Sequence, residues 1–70
     1  MYNLYIEYIC PSYSQIIAIE EVNTIEKDTE WADDYFTEEE KEHGTVKMAW
    51  YNKDDDPMFD EPVDTFEFYL

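Results

Sequence analysis

Hydrophobic and polar residues alternate along three segments of the chain, and this period of two is typical of half-buried β-strands. The segments are residues 2–10, 45–51 and 65–70. One face of the first consists of Tyr2, Leu4, Ile6, Tyr8 and Cys10. The corresponding faces of the other two consist of Val46, Met48 and Trp50, and of Phe66, Phe68 and Leu70. We expect these apolar faces to lie on the same side of a sheet.

Residues 15–22, QIIAIEEV, follow a predicted turn at residues 11–14 and allow two interpretations. Ser12 and Gln15 have the spacing of a capping box, which would begin a helix. On such a helix, however, the isoleucines would point to nearly every side, unlike those of an amphipathic helix. We therefore prefer a second strand that pairs with the first as a hairpin.

Residues 26–43 contain no glycine or proline, which favours one helix or a helix broken near Thr37. Candidate capping residues are Asp28, Thr29, Thr37 with Glu40, and Gly44. A core-facing stripe within about 60° on a helical wheel would contain Ile25, Thr29, Ala32, Phe36 and His43. Trp31 and Tyr35 could lie in the core or on a binding face. The sequence thus predicts a single α+β domain over residues 1–70, with an antiparallel sheet of three or four strands and one acidic helical segment.

The charge balance restricts the class of partner. The chain has 19 acidic residues against four lysines and no arginine, for a formal net charge of −15. Direct binding to DNA or RNA is disfavoured, since that affinity depends on Lys and Arg neutralising phosphates. An anionic membrane would repel the chain for the same reason, and a basic partner protein is favoured. Aromatic residues make up 19% of the chain, too many for a simple disordered acidic tail.

The acidic residues follow a pattern within the predicted helix. Every fourth residue is an acid in the series Glu26, Glu30, Asp34, Glu38 and Glu42. Four like-charged i,i+4 pairs would destabilise a helix by about 1–2 kcal/mol in total. On one helix the series would form a row roughly 24 Å long. Asp33 and Glu40 lie on the flank of this series, and we expect the row, supported by Asp33 and Glu39, to bind a partner.

A second acidic cluster occupies a predicted loop at residues 54–64, which contains two prolines and six acids. Its candidate partner-binding residues are Asp54, Asp55, Asp56, Asp60 and Glu61. Curving rows of carboxylates at such spacing could stand in for the phosphates of a nucleic-acid strand. Trp31, Tyr35, Met58 and Phe59 would add the apolar contacts that aromatic residues and methionine make at interfaces.

Motifs for catalysis or cofactor binding are absent from the sequence. The loop lacks the glycine of an EF-hand, and one Cys and one His do not make a zinc site. No glycine-rich phosphate loop is possible with Gly44 as the only glycine. We therefore expect no enzyme activity, no cofactor and no metal. Without a signal peptide or a membrane-spanning run, we expect a soluble cytoplasmic protein, in the bacterial host if a phage encodes it.

In its size, its 19-to-4 excess of acids and its rows EWADDYFTEEEKE and DDDPMFDE, the chain resembles the small acidic DNA-mimic inhibitors of phages and mobile elements. These include anti-CRISPR, anti-restriction and uracil-DNA glycosylase inhibitor proteins. The resemblance implies that the chain blocks the basic groove of a CRISPR effector, a restriction enzyme or another nuclease, and an anti-CRISPR role is preferred. Two alternatives stay open: an immunity-type protein that neutralises a basic toxin nuclease, and a small calcium-binding protein.

Overall fold

The computed structural model describes residues 1–70, and it contains four strands and two short helices. In chain order these are β1 (Tyr2–Ile9), β2 (Ser14–Val22), α1 (Trp31–Tyr35), α2 (Glu38–His43), β3 (Thr45–Asn52) and β4 (Asp64–Tyr69). The strands form one antiparallel sheet in the order β2-β1-β3-β4. The predicted α+β class is confirmed, and the sheet has four strands.

One face of the sheet carries the core, as the alternating pattern predicted. The central strands pair Leu4 with Trp50 and Ile6 with Met48, and all four of these side chains are buried. With Tyr8, Val46, Ala32 and Phe36 they make a single hydrophobic cluster, which α1 covers. We call this side of the sheet the helix-bearing face and the opposite side, which includes Tyr5 and Tyr51, the open face.

Residues 15–22 form a strand that pairs with β1, so the preferred hairpin is confirmed. The register shifts opposite Ile6 and Glu7, where Ile17 is inserted as an extra residue in a β-bulge. Because of this insertion, Ile16 and Ile19 share the open face although they are three residues apart. The bulge explains why β2 lacks the regular alternation of the other strands.

The prediction of a helix starting at Glu26 is wrong, whereas the alternative break near Thr37 is confirmed. Residues 26–29 are not helical, and the N-cap of α1 is Glu30 rather than Asp28 or Thr29. At the break, the Thr37 hydroxyl accepts a hydrogen bond from the Glu40 amide at 3.3 Å. The Glu40 carboxylate accepts one from the Thr37 amide at 2.9 Å, which completes the predicted capping box.

The break separates α1, which buries Ala32 and leads to the buried Phe36, from α2, which buries no residue. Phe36 has an extended backbone at the end of α1, and its ring stacks on Tyr8 with centroids 5.3 Å apart. Of the predicted core stripe, Ala32 and Phe36 are buried and Ile25 packs against the core. Thr29 and His43 are exposed, since Thr29 precedes α1 and His43 ends α2, a helix that buries none of its residues.

Trp31 and Tyr35, which the sequence left open, differ in environment. Trp31 is half-buried and packs against the core, with its ring edge-on to Phe68 at 6.1 Å. Its indole N–H donates to the Asp28 carbonyl oxygen at 2.7 Å. Tyr35 is exposed. Trp31 thus has a structural role, and Tyr35 remains available at the surface.

Gly44 connects α2 to β3 and is the C-cap residue, as predicted. Its φ of −108° and ψ of 152° belong to the extended region that any residue adopts, so the glycine is not needed for a left-handed turn. It is needed for space. A Cβ at this position would overlap the ring of Tyr8 and lie 2.6 Å from the Glu40 carbonyl oxygen.

Candidate acidic interface

The twelve predicted partner-binding residues all lie at the surface of the structure. Eleven are exposed and Asp55 is half-buried. We call these twelve residues the acidic band: Glu26, Glu30, Asp33, Asp34, Glu38, Glu39, Glu42, Asp54, Asp55, Asp56, Asp60 and Glu61.

The predicted row of five acids along one helix is wrong. The four-residue spacing has helical geometry only within each short helical segment, where Glu30 precedes Asp34 and Glu38 precedes Glu42. Glu26 lies before the first helix. The physical reason is the break at Thr37, where the capping box begins a new helix after Phe36 has entered the core.

The acids of the two helices and those of the loop lie near opposite ends of the sheet, whereas Glu26 precedes Lys27, which pairs with Asp64 at the loop end. Helix α2 leads directly into the first residue of β3, where Thr45 pairs with Ile9. The loop of residues 53–63 leaves the other end of β3, where Asn52 pairs with Tyr2. Eight residues of strand separate these ends by about 25 Å. The acidic band is therefore distributed from end to end of a molecule 36 Å long and does not form two parallel rows.

Lysines neutralise little of the acidic band. Within 4.0 Å, only Glu38 has a lysine partner, Lys41 at 3.8 Å. Glu42 has His43 at 3.9 Å, a pair that is ionic only when the histidine is protonated. Two further lysines pair with acids outside the band: Lys27 with Asp64 and Lys53 with Glu21. Ten of the twelve band carboxylates thus have no basic partner within this distance.

The β3–β4 loop is held in place by its own acids. The Asp60 carboxylate accepts a hydrogen bond from the Asp56 amide at 2.7 Å, and the Asp56 carboxylate accepts one from the Met58 amide at 2.9 Å. This turn presents Met58 and Phe59, whose side chains are 85% and 84% exposed. Two large apolar groups are therefore displayed among carboxylates, where they can contact a partner surface.

A recess near α2 contains two tyrosines whose pKa values are raised. Tyr8, Cys10, Tyr13 and His43 line it. Loss of solvent contact is the main factor that raises the pKa of Tyr8 and of Tyr13 above 10.0, and Cys10, Glu40 and Glu39 raise it further. Tyr8 is buried, whereas Tyr13 keeps 53% of its surface exposed. Cys10 is a free thiol. Sequence reasoning could not locate this recess, since 33 residues separate Cys10 from His43 in the chain.

At the other end of the sheet, Asp64 is fixed by a direct ion pair. Its carboxylate lies 3.0 Å from the Lys27 ammonium, and this contact is the main factor that lowers the pKa of Asp64 below 3.8. The pair connects the segment before α1 to the start of β4. Asp64 is thereby partly neutralised and is not part of the acidic band.

The described chain has no group of three or more His, Cys, Asp or Glu side chains arranged to hold a metal ion. Neither helix has the length or the apolar character to cross a membrane. Comparison with protein-family models, with curated proteins and with solved structures found no match for this chain. The functional assignment therefore rests on the geometry and the charge of its surface.

Proposed function

We propose that this chain is a non-enzymatic inhibitor that occupies the basic nucleic-acid groove of a partner protein by mimicking phosphate charge. The partner class is a CRISPR effector, a restriction enzyme or another nuclease, and a phage anti-CRISPR protein is the preferred role. The acidic band makes the contact. The protein needs no cofactor and performs no chemistry for this function, because occupying the groove is enough to exclude the substrate.

The linear density of charge supports the proposal most directly. Twelve band carboxylates along a molecule of 36 Å correspond to one negative charge per 3 Å of length. One strand of duplex DNA carries one phosphate per about 3.4 Å. A groove whose lysines and arginines match phosphates would therefore meet a similar number of carboxylates over this length, grouped in two clusters rather than evenly spaced. Because ten of the twelve have no basic partner, binding would not require existing ion pairs to break.

Exposed apolar groups distinguish this surface from a simple polyanion. Met58 and Phe59 project from the acidic loop, and Tyr35 is exposed on α1 between Asp34 and the second helix. Aromatic residues and methionine are enriched at protein interfaces, where they supply buried contact area. Nucleic acid offers no such side chains at its phosphates. These groups would let the inhibitor bind one protein partner more selectively than charge alone allows.

The first experiment identifies the partner by capture from a bacterial lysate and measures its affinity at increasing salt. The proposal predicts that the captured partner is a nucleic-acid-binding protein. Its affinity for this chain should fall steeply as salt is added, since exposed charges are screened within about 8 Å at physiological ionic strength. A captured nuclease should also lose cleavage activity when the chain is added. A partner that has no nucleic-acid site, or a nuclease that stays fully active when saturated, would contradict the proposal.

Two variants of equal net charge show whether partner binding depends on where the acids lie or only on the total charge. The band variant replaces two loop acids by asparagine: Asp54 and Asp55. The control replaces two acids of the open face by glutamine: Glu7 and Glu67. Both variants lose the same formal charge. The proposal predicts that the band variant binds the partner much more weakly than the control, whereas equal weakening would show that net charge alone is responsible.

A further inference from the structure

A groove on the helix-bearing face combines apolar side chains with acidic residues, of which only Glu26 belongs to the acidic band. It has a volume of about 600 Å³ and runs between β2 and the segment that leads to α1. Its apolar lining includes Leu4, Ile6, Met48 and Trp50, with Trp31 on one side. Clefts that bind ligands have volumes of roughly 300–1,000 Å³ and mostly apolar linings. The groove is thus large enough to accept a side chain of a partner protein.

Four acidic residues line this groove, and three of them have no basic partner: Glu20, Glu26 and Asp28. The fourth, Glu21, lies opposite Asn3 and is paired with Lys53 at 3.5 Å. Glu20 lies opposite Leu4 and is the one charged residue that β1, β2 and β3 place on the helix-bearing face. No lysine or histidine lies within 4.0 Å of any of the three. An inward-facing charge on an edge strand can protect that edge from aggregation. A single glutamate would serve that purpose, whereas here three unpaired acids line the same groove as a tryptophan.

The combination of indole and carboxylates indicates what the groove binds. A guanidinium is planar, is always charged, stacks on aromatic rings and forms paired hydrogen bonds with carboxylates. The ring of Trp31 is held by its hydrogen bond to the Asp28 carbonyl and is half-buried, so part of it can contact a ligand. We propose that this groove binds an arginine side chain of the basic partner protein. The inference rests on the proposed function and adds to it the residue by which the partner is anchored.

The test uses the whole protein and a small probe, Nα-acetyl-argininamide, observed by NMR at the indole N–H of Trp31. We expect a saturable shift of this signal. The citrulline analogue has a similar shape but no charge and should cause little shift. The lysine analogue should bind more weakly, because an ammonium cannot stack or pair in the same way. An equal response to lysine would show a general cation groove and would contradict the assignment of arginine.

Variants of equal charge provide the matched control. Glu20→Gln should weaken binding of the arginine probe about threefold, the scale of one exposed ion pair. Glu67→Gln removes the same charge from the open face and should leave the affinity unchanged. Equal effects of the two variants, or no shift at Trp31 in the parent protein, would overturn the proposal.

The result is separable from the proposed function. If the band variant loses the partner but the arginine probe does not bind, the groove assignment alone is wrong. If the probe binds as expected but the partner binds DNA and this chain at the same time, then charge mimicry is wrong and the groove remains an arginine site.

Discussion

Replacing Gly44 by alanine tests whether close approach, rather than backbone freedom, selects glycine at this position. The backbone angles of Gly44 are accessible to alanine. If only chain entropy mattered, the substitution would stabilise the fold by about 0.4–1 kcal/mol. The added Cβ, however, would overlap the Tyr8 ring and the Glu40 carbonyl oxygen. Overpacking of this kind costs about 1–3 kcal/mol, so we expect net destabilisation of about 2 kcal/mol by the same rule.

For a domain of this size, about 1 kcal/mol corresponds to a change of about 4–8 °C in Tm, so Tm should fall by about 8–16 °C. Urea unfolding followed by tryptophan fluorescence gives the free energy directly. Tyr8→Phe is the control: it removes only the hydrogen bond from the Tyr8 hydroxyl to the Glu40 carbonyl, 3.0 Å long, and keeps the ring. Its effect should be smaller than that of Gly44→Ala. A stabilised or unchanged alanine variant would refute the steric explanation.

Three further predictions concern the capping box, the ion pair and the net charge. Thr37→Ala should destabilise the protein by about 1 kcal/mol through loss of the cap, measurable by urea unfolding, whereas an effect near zero would mean that α2 does not depend on it. The Lys27 contact lowers the folded-state pKa of Asp64, so its stabilisation is complete well above pH 3.8 and is lost as the pH falls through the lowered pKa. The stability difference between the parent and Asp64→Asn, measured by urea unfolding across pH, should therefore shrink in acid, and a constant difference would count against the ion pair. Added salt should raise Tm in thermal melts because it screens the self-repulsion of a chain of charge −15, and an unchanged Tm would mean that the acids repel one another too little to matter.

Most of the sheet could be predicted from the sequence because the alternation of β1 and β3 reports directly which side chains are buried. Val46 and Trp50, for example, are both buried, as their spacing indicated. The β2 strand was less certain. Its bulge at Ile17 places Ile16 and Ile19 on the same face, a pattern that neither a regular strand nor a regular helix produces. Bulges of this kind depend on strand pairing and are not visible in one segment.

The sequence was enough to predict that the residues of the acidic band lie at the surface, but not how they are arranged there. Every predicted site residue is at the surface, since isolated carboxylates are costly to bury. The single long helix was wrong because local capping at Thr37 and burial of Phe36 outweighed the uninterrupted composition of the segment. The position of the second cluster depends on which end of β3 its loop leaves, and only the sheet topology determines this.

The central claim is that the acidic band and nucleic acid bind the same site on the partner. Fluorescence anisotropy of a labelled duplex on the captured partner, measured with increasing amounts of this chain, tests the claim most directly. The account predicts full displacement, with an apparent Kd for the duplex that rises linearly with the free concentration of the chain. The band variant should displace the duplex less effectively than the open-face control. A duplex that stays bound with unchanged affinity while the partner is saturated with the chain would contradict the account.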